Sequence, residues 1–223
     1  MKACKALSLI TLVLAWSVTA IAQDPLKVSP ANYKLILENA SVRILRVDVP
    51  AGMKGVAHSH PDAMVISLSA SKVRFTMPDG KTQDADMADE SGSYAPAGVH
   101  TPANTGTTRV DALVVEFGAA APGKATLPAS REGMTIKVLA EGPRAMAYRS
   151  TAAPNFAEPA GTTHDYDQVV IALGPAQMSL SLDGKPAKTT WARGDAVFVG
   201  RGVPHQAQNT GGKPVDFIIV AIK

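Results

Sequence analysis

Gly52-Met53-Lys54-Gly55-Val56-Ala57-His58-Ser59-His60 is the stretch on which the reading of this chain turns. On a strand, residues i and i+2 face the same side, so the imidazoles of His58 and His60 can both point into one interior. Further along, Pro96-Ala97-Gly98-Val99-His100 supplies a third histidine, and Asn104 follows it by four residues. Asn104-Thr105-Gly106 returns as Asn209-Thr210-Gly211, 105 positions later, with His205 again four residues before the asparagine. The same offset carries Ile66 onto Ile171 and Leu68 onto Leu173, and one gap brings Asp79-Gly80 onto Asp183-Gly184. Pro50-Ala51-Gly52 and Pro159-Ala160-Gly161 open the two copies, and His164 lies just after the second. All five histidines thus fall at two kinds of position in an internal repeat.

Around these motifs the chain consists of short apolar runs: Val42 to Val49, Met64 to Leu68, Val73 to Met77, Ala112 to Phe117, Val169 to Leu173, Met178 to Leu182, Ala196 to Val199 and Phe217 to Ile222. Runs of four to eight residues rich in Val and Ile, separated by Gly, Pro, Asp and Asn, are strand and hairpin signals. At most a short helix is expected, near Pro30 to Glu38. A repeat near 100 residues is too long for a solenoid and suits a duplicated all-β domain. The expected organisation is an N-terminal domain over residues 23–120, a linker over 121–134 and a C-terminal domain over 135–223.

Residues 1–22 read as an address. Lys2 and Lys5 precede the apolar run Ala6 to Trp16, and Ala20-Ile21-Ala22 gives a small-x-small cleavage pattern before Gln23-Asp24-Pro25. That is the layout of a secretory signal peptide, and the run is shorter than the roughly 20 residues of a membrane span. An exported protein, periplasmic or extracellular, is expected, with no membrane association once the signal is cleaved. Cleavage removes two lysines and Cys4, the single cysteine, so the formal charge falls from +3 to +1 and no thiol remains. A disulfide scaffold and a cysteine-rich zinc site are excluded, and the small charge argues against a nucleic-acid partner. At 46% hydrophobic residues the 223-residue chain is no disordered polymer.

Three neutral imidazoles on a rigid β scaffold suit Fe, Mn, Zn, Ni or Cu, and they leave coordination positions open for water, oxygen or substrate. With these motifs in place the chain resembles the cupin superfamily, and specifically a bicupin with two tandem domains. Its first motif, a glycine, five residues and His-x-His, is matched by Gly52, His58 and His60. Its second is matched by Gly194, Gly202, His205 and Asn209, with Gly200 for a proline, and by Pro96, Gly98, His100 and Asn104. The resemblance implies an all-β fold of two double-stranded, jelly-roll-like β-barrels with a divalent metal in a barrel mouth.

The glutamate that completes the family's metal site is missing from the first copy. Ala63 and Met64 occupy its place, and Asp62 is the nearest carboxylate. The resemblance therefore implies a three-histidine metal site, His58, His60 and His100, similar to those of some cupin dioxygenases. In the second copy two alignments stand open. Either His164 is the first motif histidine with Tyr166 for the second, or Thr162 replaces the first and His164 is the second. The latter gives His164, His205 and Asp167 as a two-histidine, one-carboxylate set.

Arg74 and Arg201 read as strand-end charges, and Trp191 and Tyr94 as core. Two functions follow from the resemblance. One is a metal-dependent, dioxygenase-like oxidoreductase acting on a small organic substrate. The other is a non-catalytic small-ligand or scaffold protein with a degenerate second site. Pairing through edge strands into a homodimer is a further expectation.

Overall fold

Val42-Arg43-Ile44-Leu45-Arg46-Val47-Asp48-Val49 forms a strand whose residues alternate between two different apolar clusters, and that alternation organises the molecule. The computed structural model describes residues 23–119, 125–129 and 131–223. The expected signal peptide, residues 1–22, lies outside them, as do residues 120–124 and 130 of the boundary region.

A short helix α1 (Pro25–Val28) is followed by β1 (Tyr33–Glu38), β2 (Val42–Val49), β3 (His58–His60), β4 (Ala63–Ser67), β5 (Ser71–Thr76), β6 (Thr82–Met87), β7 (Ser91–Ala95), β8 (Gly98–Asn104) and β9 (Val110–Phe117). Then come β10 (Met134–Glu141), β11 (Ala145–Ala152), β12 (Asp167–Ala172), β13 (Met178–Leu182), β14 (Lys185–Lys188), β15 (Ala196–Val199), β16 (His205–Asn209) and β17 (Val215–Ile222). The first nine strands make a sheet in the order β1-β2-β9-β4-β7 and a second in the order β3-β8-β5-β6. The remainder make β10-β11-β17-β12-β15 and β14-β13-β16. The fold is all-β and jelly-roll-like.

The helix expected near Pro30 to Glu38 is not there. Tyr33–Glu38 is instead an edge strand paired with β2, and the helix lies earlier, capped by the Asp24 carboxylate on the Leu26 N–H. A short isolated helix gains little cooperativity, so the five residue pairs made with β2 decide the segment's conformation.

Turn chemistry follows the residues. Asp183 and Gly184 both have positive φ and connect β13 to β14 as a two-residue hairpin loop. Both central residues of a type I′ turn need that region, which Asp-Gly tolerates. The two asparagines found by their spacing do equivalent structural work. Asn104 Nδ2 donates to the carbonyls of Val49, Pro50 and Thr108, and Asn209 Nδ2 to those of Ala152, Ala153 and Lys213.

The two five-stranded sheets face each other. Val42, Ile44, Met64, Ile66, Leu113 and Val115 from one, and Ala145, Ala147, Val169, Ile171, Ile218 and Val220 from the other, form a single buried cluster. Their alternate neighbours face inward into separate interiors, around Val47 and Val110 in the first half and around Tyr148 and Phe217 in the second. Strands buried on both faces read as continuous apolar runs, which is why these were visible in the sequence. Close approach needs small residues at the seam: a Cβ on Gly92 would meet Ala147 at 3.3 Å, and one on Gly142 would collide with the Tyr94 ring. Ion pairs flank the seam, with Glu90 accepting from both Arg149 and Arg193 at 2.8 Å.

Ile66 is fully buried in the shared cluster, whereas Leu35 is 48% exposed on the edge strand. Ile66→Ala is expected to cost about 2–5 kcal/mol in urea unfolding, and Leu35→Ala to stay within about 0.5 kcal/mol. Equal effects would contradict the assignment of the shared cluster as the core.

Candidate metal centre

β3 lies antiparallel to β8 with His58 directly opposite His100 and His60 opposite Gly98. This register sets the His100 ring against those of both His58 and His60. Ring centroids of His58 and His100 are 4.8 Å apart, and those of His60 and His100 are 4.9 Å apart. His58 Nδ1 lies 2.9 Å from the Val56 carbonyl, and His60 Nδ1 lies 2.8 Å from that of Pro61. A carbonyl can only accept, so Nδ1 carries a proton in both rings, and in the neutral ring Nε2 is the nitrogen with the free lone pair. Backbone anchors of this kind fix the tautomer and orientation of metal-binding histidines.

Burial, reinforced by the neighbouring His58 and His60, drives the His100 pKa down to about 3. Burial likewise lowers that of His58. Both are neutral near pH 7 and available as donors. The Tyr33 hydroxyl sits 3.4 Å from His58 Nε2, and burial together with the charge of Glu116 pushes its pKa up to about 12. Tyr33 is therefore a neutral phenol that donates toward the ring nitrogen.

The three histidines border a cavity of about 120 Å³ whose walls include Leu45, Val47, Val65, Val73 and Phe75. That is near the size of a void able to hold a benzene ring. Val65, beside the position read from the sequence, faces this cavity, whereas Met64 points into the shared cluster. Asp62 lies off the site, where its carboxylate accepts from the Ala97 N–H at 2.7 Å and ties down the turn before β8.

The second half answers the question left open by the two alignments. His205 pairs with Thr162, and the Gly202 N–H donates to the His164 carbonyl at 2.8 Å. These match the pairings of His100 with His58 and of Gly98 with His60. Thr162 thus stands where His58 stands, and His164 where His60 stands. His164 and His205 rings lie 5.0 Å apart, and burial, with His205 and Arg131 nearby, lowers the His164 pKa to about 4.

The carboxylate beside this pair is not Asp167. Asp167 precedes Gln168 and Val170, which line the second cavity, and so belongs to the opposite face of β12. There it accepts from the Arg201 N–H at 2.8 Å. Glu158 takes the place instead: donor atoms of Glu158, His164 and His205 all lie within 4.8 Å of one another. One Glu158 oxygen accepts from Arg131 at 2.5 Å and the other from the Ala207 N–H at 3.1 Å. Its only cue in the sequence was a position three residues before Gly161, outside the span of the first motif. Among the other residues singled out, Arg74 holds exposed Asp84 through two hydrogen bonds, and buried Trp191 donates to the Met178 carbonyl.

No family model matches the sequence, and no curated protein matches it. Solved structures do. A cupin 2 conserved barrel domain protein from Leptotrichia buccalis aligns with a TM-score of 0.56 at 11% identity, over 86% of this chain and 88% of that one. Salicylate 1,2-dioxygenase from Pseudaminobacter salicylatoxidans aligns with 0.63 at 10% identity, over 85% and 75%. Oxalate decarboxylase from Bacillus subtilis, described for its Mn(II) centres, aligns with 0.59 at 14% identity, over 86% and 75%. Likeness at such low identity defines the fold, which is that of cupin barrels; chemistry has to be argued from this chain's own residues.

Asp167→Asn keeps the shape but removes the charge that meets Arg201. A loss of about 1–2 kcal/mol in urea unfolding is expected. Unchanged stability would contradict the structural role given to Asp167.

Proposed function

We propose that this chain is an exported bicupin, with a signal peptide over residues 1–22, barrels over 23–120 and 135–223 and a linker over 121–134, derived from an internal duplication. In this reading the N-terminal barrel holds a divalent transition metal, iron or alternatively Mn, Zn, Ni or Cu, through His58, His60 and His100. It acts on a small organic molecule as a dioxygenase-like oxidoreductase. The observation that carries the reading is the set of three imidazoles, two with Nδ1 anchored on a backbone carbonyl, at the edge of an apolar cavity.

A metal held there supplies Lewis-acid polarisation and a place for oxygen and substrate to meet. The protein does the rest. Apolar walls exclude bulk water, which strengthens electrostatic interactions inside. The Val56 and Pro61 carbonyls hold the His58 and His60 rings with Nδ1–H turned to the backbone, so that Nε2 is the nitrogen presented to a ligand. Tyr33, neutral throughout the physiological range, offers a hydroxyl proton to an oxygen-bearing ligand at the site. In a dioxygenase reaction both atoms of O₂ enter the substrate, and no separate reductant is consumed.

Glu158, His164 and His205 fit a second divalent site of the two-histidine, one-carboxylate type, with open positions. Arg131 already holds Glu158 and competes with a metal for its charge, so this half binds more weakly. The non-catalytic alternative draws on one observation: Val65 is where a carboxylate would face the first cavity.

Purified protein from metal-supplemented culture is expected to carry a divalent metal by elemental analysis. His60→Ala is expected to remove the N-terminal share, and Glu158→Gln to remove any C-terminal share. Chelation is expected to abolish oxygen uptake on a panel of small aromatic and hydroxy acids. Metal content untouched by His60→Ala would overturn the N-terminal site. Tight ligand binding by metal-free protein, without oxygen uptake, would favour the binding-protein reading.

A further inference from the structure

Glu116 is 2% exposed in the wall of the three-histidine cavity. Its Oε2 accepts from Arg43 Nε at 2.5 Å, but its Oε1 is buried with no hydrogen-bond partner. Buried carboxylate oxygens without a hydrogen-bond partner are rare, and a place for a cation is one physical reason for them. Glu116 and Asp24 share the Arg43 guanidinium, and Lys27 adds a second positive charge on the Asp24 side.

The register says where the Glu116 carboxylate is delivered. β9 pairs with β4 so that Glu116 lies opposite Ala63 and Val114 opposite Val65. Val110, Ala112, Val114 and Glu116 form the cavity-facing row of β9, and Val65 belongs to the same face of the sheet. Glu116 is therefore the diagonal neighbour of Val65, at a separation that long side chains bridge. Resting on the three-histidine reading above, we propose that Glu116 is the carboxylate donor of the N-terminal metal site, supplied from β9 rather than from the strand that follows His60. The missing charge has moved to an adjacent strand. A divalent metal there meets three imidazoles and one carboxylate.

Cobalt(II) titration of the full chain tests this, by calorimetry and by the visible spectrum of bound Co(II), in a His164→Ala background that silences the second cluster. Glu116→Gln is expected to weaken Co(II) binding at least about tenfold and alter the spectrum. Arg43→Gln, which removes the partner of Oε2 but leaves the carboxylate, is expected to retain Co(II). Unchanged affinity in Glu116→Gln, or an equal loss in Arg43→Gln, overturns the inference, since the latter would mark Glu116 as a structural ion-pair member only. Should Glu116→Gln not fold, Glu116→Asp retracts the carboxylate and keeps its charge; the same weakening supports the proposal and unchanged affinity overturns it. A Co(II) signal that survives His60→Ala overturns the three-histidine site itself, whereas one lost there but kept in Glu116→Gln overturns only the role of Glu116.

Discussion

Everything in this molecule depends on the period-two alternation of strands that are buried on both faces. In β2, β4 and β9 one row of side chains meets the facing five-stranded sheet, and the next row lines the cavity. A shift of one residue would exchange the rows. It would place Met64 where Val65 is and turn Glu116 away from the histidines. Register and site are therefore one constraint: the packing that stabilises the two halves against each other also decides which groups the cavity receives.

That constraint explains what could be read in advance. β2, β13 and β15 coincide with the runs Val42 to Val49, Met178 to Leu182 and Ala196 to Val199. Burial gave these strands a strong apolar signature. The edge strand Tyr33–Glu38 lacked it: its residues are mostly exposed, and only pairing with β2 makes it a strand. β6 is polar and exposed for the same reason. β11 is rich in alanine because the opposing sheet comes close, as the Gly92 contact shows, and small residues carry little strand propensity.

The histidines were legible because their spacing is local to two strands. The carboxylates were not. Glu158 comes from the loop ahead of the second motif, and Glu116 from a strand 56 residues after His60. Only the parity of Glu116 within Val110–Phe117, on the row of Val110, Ala112 and Val114, hinted that it faces inward. Asp167 illustrates the converse, since its spacing suited a ligand while its parity placed it on the other face of β12. In the second half a carboxylate stands beside the histidines from a place the motif does not name, and in the first Glu116 lines the same cavity as the histidines. Each is also held by an arginine, Arg43 or Arg131.

The central claim is that His58, His60 and His100 converge on one cation. Anomalous diffraction from crystals of the protein purified with a divalent transition metal, collected on either side of the metal's absorption edge, tests it most directly. The account predicts an anomalous peak bound by Nε2 of His58 and His60 and by a ring nitrogen of His100. A crystal with metal elsewhere and no peak among these three residues would contradict it.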